Sequence, residues 1–308
     1  MLSPRILIVV LLGLRLVSAS IPAPNPNRTR TLIAHRGASA YAPEHTMQSY
    51  ELAISQGADF VEPDLAVSKD GQLVCLHDDT LERTTDVEEV FPDRFNETVG
   101  RRTRAWLAND FTVEEMKSLD AGSWFDSKYA GARMPTWDEM LRLVGDHPGV
   151  GVYPELKSPP LYSARGVDMA ALFVASVKRH RLDTRESLQT LPIIVQSFDD
   201  TTIRRMAVEL PAIPRVFLTS SDADITDARL EELSGYATGI APEKHLVMKH
   251  PDMVARAHAH GLSVTSWTFR SDEQTTFADV TIEMAHYLFE LDLDALFTNN
   301  PDRFPRHR

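Results

Sequence analysis

The sequence predicts an α/β fold, a (β/α)8 TIM barrel with a small inserted subdomain after the second strand. Short apolar runs alternate with amphipathic stretches along most of the 308 residues, which is typical of parallel strands connected by helices. No Gly-rich dinucleotide-binding motif follows the first apolar run, which counts against a doubly wound open sheet. Nine apolar runs are strand candidates, and one has a local explanation that leaves the eight strands of a barrel.

The strand candidates are short and bounded by turn-forming or amphipathic residues. They are Leu32–Ala34, Phe60–Val67, Leu73–Leu76, Val150–Tyr153, Ile193–Gln196, Arg215–Leu218, Gly239–Ala241, Leu262–Trp267 and Ala295–Thr298. The helix candidates repeat apolar residues at helical spacing, several of them behind a Thr or Asp that can cap the first turn. They are Thr46–Gln56, Thr112–Leu119, Thr136–Val144, Asp168–Arg181, Thr201–Glu209, Asp252–His260 and Thr275–Leu291.

The surplus strand follows a turn signal. Asp70 and Gly71 lie between two apolar runs, and an Asp-Gly pair in that position favours a β-hairpin. We therefore expect Val67 and Leu73 to pair in an antiparallel hairpin outside the barrel. Residues 81–133 are polar and hold no strong strand candidate. The barrel is thus predicted over residues 31–308, interrupted by an insertion at about residues 68–133 that caps the active-site face.

Charge and cysteine content exclude several functional classes. The formal net charge is −12, from 44 acidic and 32 basic residues, whereas non-specific nucleic-acid binding needs a basic surface. A small anionic substrate stays compatible with this charge, because a few basic groups or a metal ion can reverse the field locally. One cysteine, Cys75, excludes an intrachain disulfide framework and a Cys-rich zinc site.

The first 19 residues have the pattern of a secretory signal peptide. Arg5 precedes the apolar run Ile6–Leu14, and Val17-Ser18-Ala19 forms a small-x-small cleavage pattern. The alternatives are an N-terminal anchor and a buried helix, but the run is short for a bilayer span of about 20 residues. Residues 20–30 are rich in Pro and Asn and predict a flexible leader. The expected product is a secreted protein, cleaved near Ala19, with no stable membrane insertion.

Two N-glycosylation sequons accompany the predicted signal peptide, at Asn27 and Asn96. They are compatible with a secreted eukaryotic protein.

Polar side chains at the carboxyl ends of barrel strands face the catalytic mouth. The candidates in this position are His35, Arg36, Glu62, Asp64, His77, Glu155, Lys157, Phe198 and Trp267. Glu62 and Asp64 are two residues apart, which puts both side chains on one face of a strand. The expected site therefore combines two histidines, three carboxylates, an Arg and a Lys, with Phe198 and Trp267 either walling the ligand or serving as core aromatics.

Glu62, Asp64 and Glu155 are embedded in otherwise apolar strands. Buried carboxylates must be paired with cations or bound to a metal. Three carboxylate ligands suit one hard divalent cation, Ca²⁺ or Mg²⁺, better than zinc, which prefers His and Cys. The alternative is a network without metal, built on Glu155–Lys157 or Glu62–Arg36 ion pairs.

Several motifs together carry a family resemblance. They are His35-Arg36-Gly37, Ala42-Pro43-Glu44-His45-Thr46, the stretch GADFVEPD over residues 57–64, Lys69-Asp70-Gly71 and the stretch HDDTLERTT over residues 77–85. Pro154-Glu155-Leu156-Lys157, Gln196-Ser197-Phe198, Trp267-Thr268 and Phe297-Thr298-Asn299-Asn300-Pro301 follow in order. The chain resembles the glycerophosphodiester phosphodiesterase family, in particular its periplasmic and secreted branch.

The resemblance implies a barrel enzyme that hydrolyses glycerophosphodiesters to glycerol 3-phosphate and an alcohol with one divalent cation. It implies His35 and His77 as the general acid–base pair and Glu62, Asp64 and Glu155 as metal ligands. It further implies basic groups at the phosphate and a carboxylate supporting the first histidine, which are Arg36, Lys157 and Glu44. His45 stands where the family pattern has Asn, and we expect it to face solvent, outside the site.

Three other functions share some of these features. A phosphodiesterase or lyase acting on lysophospholipids or sphingolipids has the same fold and a similar site, but the disulfides of that type cannot form with one Cys. A glycosidase with two carboxylates would leave both histidines without a role. A non-catalytic secreted binding protein would be expected to lack a histidine or a metal ligand, and none is missing.

Overall fold

The structure, a computed structural model, describes residues 30–99, 102–273 and 275–307. The predicted signal peptide, the leader up to its last residue and Asn27 lie outside these ranges. No helix in the described ranges has the length and apolar character that crossing a bilayer requires.

The described residues form thirteen strands. They are β1 (Thr31–His35), β2 (Phe60–Glu62), β3 (Asp64–Val67), β4 (Leu73–Cys75), β5 (Asn96–Val99), β6 (Arg102–Ala105), β7 (Gly151–Val152), β8 (Glu155–Leu156), β9 (Val195–Ser197), β10 (Arg215–Thr219), β11 (Gly239–Pro242), β12 (Ser263–Phe269) and β13 (Ala295–Thr298).

Ten of these strands form a closed barrel with eight parallel strand positions, here called staves, because two of the positions are each divided into two short strands. Pro63 divides one stave into β2 and β3, and Tyr153-Pro154 divides the next into β7 and β8. The hydrogen-bond ladder crosses both breaks, because the Tyr153 amide donates to Val61 O and the Glu155 amide to Pro63 O, each at 2.9 Å. Parallel pairing continues from β8 through β9, β10, β11 and β12 to β13, which pairs with β1. The predicted TIM barrel is confirmed.

The predicted hairpin is present. Val67 pairs with Leu73 in antiparallel register, and β4 lies outside the barrel, so the surplus strand is accounted for as predicted. The expectation that residues 81–133 lack strands is wrong, because β5 and β6 form a separate antiparallel hairpin. Its sequences, NETV and RTRA, are polar, so hydrophobic alternation could not indicate them.

Twelve α-helices occur in the described ranges. They are α1 (Met47–Ser55), α2 (Val87–Val90), α3 (Val113–Ser118), α4 (Trp137–Gly145), α5 (Pro159–Ala164), α6 (Met169–Arg179), α7 (Ser187–Thr190), α8 (Asp200–Glu209), α9 (Asp227–Ser234), α10 (Lys244–Lys249), α11 (Met253–Ala259) and α12 (Val280–Ala285). The predicted helix Thr275–Leu291 is shorter than expected. It begins at Val280, because the Asp279 side chain caps the Ile282 amide, and it continues as a π-turn over His286–Glu290.

Candidate active site

Three acidic side chains meet at the carboxyl end of the barrel. Glu62 and Asp64 lie on either side of Pro63, and Asp64 is in register with Glu155 on the neighbouring stave. One oxygen from each carboxylate lies within 4.8 Å of the others. All three residues are buried, with relative exposures of 1, 1 and 7% for Glu62, Asp64 and Glu155. The spacing that the sequence predicts for these residues thus becomes a compact acidic triad.

The three carboxyl groups of the triad differ in their tendency to ionise. Burial and the nearby Asp64 charge raise the pKa of Glu62 well above its ordinary value, and the same causes raise the pKa of Glu155 to about 8. Burial also disfavours ionised Asp64, but the positive charges of Lys157 and Arg36 outweigh it and hold the Asp64 pKa well below its ordinary value. Three carboxylates this close repel one another when all are ionised.

A divalent cation fits this donor set. It would neutralise the mutual repulsion, and carboxylate oxygens are the ligands that Ca²⁺ and Mg²⁺ prefer. The Gln196 amide adds an observation of its own, since its Oε1 is buried and has no hydrogen-bond partner among the described residues. Its Nε2 lies 3.5 Å from Glu62 Oε1, so the unpartnered oxygen is beside the triad. The triad is therefore able to hold one divalent cation.

The ion-pair network considered as the alternative is present in part. Lys157 Nζ lies 3.0 Å from Glu155 Oε1, as predicted. The Arg36 guanidinium contacts Asp64 Oδ2 and Glu44 Oε1, each at 3.0 Å, whereas Glu62 accepts a hydrogen bond from the Arg36 backbone amide at 2.9 Å. The predicted Glu62–Arg36 side-chain pair is therefore a backbone contact instead.

The loop after β1 brings Arg36 to the triad. Arg36 and Gly37 have φ values of +57° and +86°, a backbone region that L side chains adopt only at a cost. A Cβ at Gly37 would lie 2.7 Å from the Ser49 carbonyl carbon, so only glycine lets the loop pack this closely on α1. The His-Arg-Gly motif thus serves a sharp turn as well as chemistry.

Both predicted catalytic histidines are oriented through Nδ1. His35 Nδ1 lies 2.8 Å from Asn299 Oδ1, and His77 Nδ1 lies 2.7 Å from Asp78 Oδ1. These acceptors leave Nε2 of each ring for contact with a ligand. Burial, with the adjacent Arg36 charge, lowers the pKa of His35 to about 3, so its imidazole is neutral near pH 7.

The two histidines share one cavity of about 160 Å³ with Glu62 and Glu155 of the triad. Its lining residues are His35, Arg36, Glu62, His77, Glu155, Lys157, Gln196, Phe198, Leu218, Trp267, Thr268 and Phe297. Phe198 and Trp267 meet edge to face with ring centroids 5.5 Å apart. Because the Phe198 side chain is 45% exposed, it is a cavity wall and not a core aromatic. The cavity thus has one charged side and one apolar side.

A second cavity, of about 410 Å³, adjoins the first and shares His35, Arg36, Trp267 and Thr268 with it. Arg83, from the insertion, lines this cavity and donates hydrogen bonds to both Glu44 and Asp78. Arg83, which lies in the predicted insertion, therefore contributes to the mouth of the site.

Glu44 is the centre of an ion-pair cluster with Arg36 and Arg83. Burial by itself would raise its pKa, but the hydrogen bonds from Arg83 and the Arg36 charge lower the pKa to about 2. A carboxyl whose pKa is lower in the folded state stabilises the fold fully above its unfolded pKa. That stabilisation is lost as the pH falls through the folded value.

Replacing Glu44 by Gln should therefore lower the free energy of unfolding by about 3 kcal/mol at pH 7. The loss should shrink as the pH falls from 5 towards 2, because the Glu44 carboxylate of the unfolded wild-type chain is protonated in this range, before the folded carboxylate is protonated near pH 2. Urea unfolding of both proteins across this pH range measures the difference. Glu51→Gln, at an exposed position of α1, is the control and should change stability by less than about 0.5 kcal/mol. A pH-independent Glu44→Gln loss would contradict the ion-pair explanation.

The expectation for His45 is wrong. Its side chain is buried, with 4% exposure, and His45 Nε2 lies 3.0 Å from Asp64 Oδ2. Sequence reasoning missed this contact, and it assigned no role to Asp78, Gln196 or Asn299. Each of these three residues lies within a motif that carries the family resemblance. The motifs point to these positions, but they do not reveal which side chains the three residues contact.

Comparison with known proteins addresses the identity of this site. The model of the glycerophosphoryl diester phosphodiesterase family matches residues 35–303. The chain belongs to this family. A glycerophosphodiester phosphodiesterase of Bacillus subtilis is 34% identical over 290 residues, covering 91% of this chain and 86% of the relative. One from Arabidopsis thaliana is 33% identical over 309 residues, covering 87% and 82%.

Solved structures agree with this family membership. An Oleispira antarctica phosphodiesterase in complex with the product sn-glycerol-3-phosphate matches with a TM-score of 0.70 at 29% identity. The match covers 89% of this chain and 95% of that one. A glycerophosphodiester phosphodiesterase from Agrobacterium tumefaciens matches with a TM-score of 0.64 at 26% identity, covering 89% and 98%. The prediction that the chain is an enzyme, a glycerophosphodiester phosphodiesterase, is confirmed.

Proposed function

We propose that this enzyme hydrolyses glycerophosphodiesters to glycerol 3-phosphate and an alcohol, with one divalent cation, Ca²⁺ or Mg²⁺, held by Glu62, Asp64 and Glu155. The observation that carries the proposal is the cavity that two oriented histidines share with Glu62 and Glu155, which form a buried acidic triad with Asp64. A solved relative contains the product sn-glycerol-3-phosphate, which supports a small-molecule phosphodiester as the substrate.

The reaction requires that the negative phosphodiester accept a nucleophile. A bound divalent cation supplies charge neutralisation at the phosphoryl oxygens. Arg36 and Lys157 line the same cavity and add positive charge, and the planar Arg36 fork is suited to phosphate oxygens. Because Arg36 contacts Asp64 and Lys157 contacts Glu155, both basic side chains are held in place before substrate binds.

Proton transfer is assigned to His35 and His77. One imidazole accepts the proton of the attacking hydroxyl, and the other gives a proton to the leaving alcohol. By family resemblance, the first nucleophile is the neighbouring glycerol hydroxyl, and water then opens the cyclic phosphate. Asn299 and Asp78 hold the two rings through Nδ1, so Nε2 is the atom that exchanges the proton in each case.

We assign the two adjoining cavities to different parts of the substrate. Phe198 and Trp267 provide the apolar wall against which the glycerol carbons pack. The larger adjoining cavity, lined by Glu44 and Arg83 among others, receives the leaving alcohol.

Secretion and glycosylation are part of the proposal. The signal-peptide pattern of residues 1–19 supports export with cleavage near Ala19. Asn27 and Asn96 are the proposed acceptors. Asn96 is half-buried in β5, and its amide nitrogen, the atom that would carry the glycan, donates to Asp110 Oδ2 at 2.7 Å, so glycosylation at Asn96 would have to change this contact. Mass spectrometry of the exported protein, with and without glycosidase treatment, tests the new N-terminus and both sites.

Chelation tests the catalytic proposal directly. Purified enzyme should release glycerol 3-phosphate from glycerophosphocholine, EDTA should abolish the release, and adding back Ca²⁺ or Mg²⁺ should restore it. The cation that restores the rate identifies the metal. Full activity in EDTA would contradict the metal site. Silence with every cation would contradict this substrate, and activity on lysophospholipids or sphingolipids would then indicate the lipid-acting alternative.

A further inference from the structure

We infer that His45 and Tyr50 form a hydrogen-bond relay that orients Asp64 for the cation, so that His45 is a positioning residue of the metal site. The inference rests on the metal site proposed above. It concerns a position where this chain differs from the family pattern, which has Asn after Glu44.

The relay is a continuous chain of buried polar contacts. Tyr50 OH lies 2.7 Å from His45 Nδ1, and His45 Nε2 lies 3.0 Å from Asp64 Oδ2. Tyr50 is completely buried and His45 nearly so. Burying a polar group costs free energy unless the group is hydrogen-bonded. The two contacts link the Tyr50, His45 and Asp64 side chains by hydrogen bonds.

The direction of each hydrogen bond follows from Asp64. An ionised carboxylate only accepts hydrogen bonds, so His45 Nε2 must carry the proton that it shares with Asp64. In a neutral imidazole the other nitrogen is then an acceptor, and Tyr50 OH donates to it. Tyr50 thereby selects the His45 tautomer whose proton faces Asp64.

The contact restrains a specific oxygen of the triad. His45 and the Arg36 guanidinium both approach Asp64 Oδ2, which makes Oδ1 the oxygen available to a cation. The Arg36 Nε contact lacks hydrogen-bond alignment, since this atom has no hydrogen-bond partner among the described residues. His45 is therefore the aligned donor at Oδ2, and donors to ligating carboxylates commonly set metal affinity.

The backbone at this position lies in the left-handed region. His45 has a φ of +55°, a conformation that is uncommon for residues other than glycine, although Asn, Asp and His adopt it more often than most. The next residue, Thr46, caps α1 by accepting from the Ser49 amide. The turn between Glu44 and α1, with the Thr46 cap beside it, thus presents the ring of residue 45 to the triad.

Calorimetric titration of EDTA-stripped, full-length enzyme with MgCl₂ and CaCl₂ tests the relay without relying on turnover. His45→Ala should weaken cation binding by about 10- to 100-fold, the range typical for lost partners of metal ligands. His45→Gln should bind within about 3-fold of wild type, because the Gln Nε2 can replace the imidazole Nε2 as donor. Tyr50→Phe, which keeps the ring and removes only the hydroxyl, should fall between them.

His258→Ala is the matched control. His258 Nε2 lies 2.9 Å from Asp294 Oδ2, so it too is a carboxylate-bonded histidine, but Asp294 precedes β13 at the opposite end of the barrel. This variant should lose thermal stability and keep wild-type cation affinity.

The outcomes separate the relay from the metal site itself. If His45→Ala is too unstable to titrate, Tyr50→Phe decides between weaker binding and wild-type binding. Wild-type affinity in Tyr50→Phe and in any folded His45→Ala would overturn the relay and reduce His45 to a packing role. Absence of cation binding by the wild-type enzyme would overturn the proposed metal site, and the relay with it.

Discussion

Alanine at His35 or at His77 should lower kcat for glycerophosphodiester hydrolysis by about 10²- to 10⁴-fold, the usual contribution of a positioned acid or base. Each substitution removes an imidazole that lines the cavity. Asn299 and Asp78 contact the Nδ1 atoms of these rings, and we expect neither of them to replace the missing imidazole in proton transfer to the substrate. Initial rates of glycerol 3-phosphate release, at saturating substrate and cation, measure the effect.

His180→Ala is a suitable control for His77→Ala. Both histidines are 32% exposed and both contact an Asp, since His180 Nε2 lies 3.1 Å from Asp138 Oδ1. His180 is the C-cap that follows α6 and does not line the cavity, so its loss should leave kcat unchanged. Circular dichroism and cation titration should match wild type in all three variants. A near-wild-type rate for either cavity variant would remove that histidine from the mechanism.

Glu62→Gln should weaken cation binding by about 10- to 100-fold or more and abolish most of the activity, without destabilising the metal-free protein. The amide has the size of the carboxyl and can still accept the hydrogen bond from the Arg36 amide. It removes one negative charge from a triad in which burial and Asp64 already raise the Glu62 pKa.

The stability effect has a definite sign. Because the pKa of Glu62 is raised in the fold, the folded state binds more protons than the unfolded chain, and wild-type stability falls as the pH rises above the unfolded value. The Gln variant lacks this loss. Without metal, it should therefore gain stability relative to wild type between pH 5 and pH 8, as measured by urea unfolding in EDTA. Unchanged cation titration by Glu62→Gln would remove Glu62 from the proposed metal ligands.

The spacing of residues along the chain was sufficient to predict those parts of the site that follow from strand geometry. Alternation along a strand puts Glu62 and Asp64 on one face, and strand ends in a barrel point to one mouth, so the sequence predicts the triad and both histidines together. The Asp-Gly turn signal likewise predicts the Val67–Leu73 hairpin. These inferences depend on neighbours along the chain or on a rule shared by all parallel barrels.

The sequence by itself determined the barrel, the family and the identity of the residues at the mouth. Only the tertiary structure decided what those residues contact. His45 ends an irregular loop and gives no pattern of burial, yet the turns at Arg36 and Gly37 fold that loop over the triad and bring His45 to Asp64. Similarly, Arg83 joins Glu44 to Asp78 only because the insertion returns to the mouth. The physical reason is that hydrophobic periodicity specifies which face of an element is buried, whereas contacts between polar loops depend on where distant elements place them.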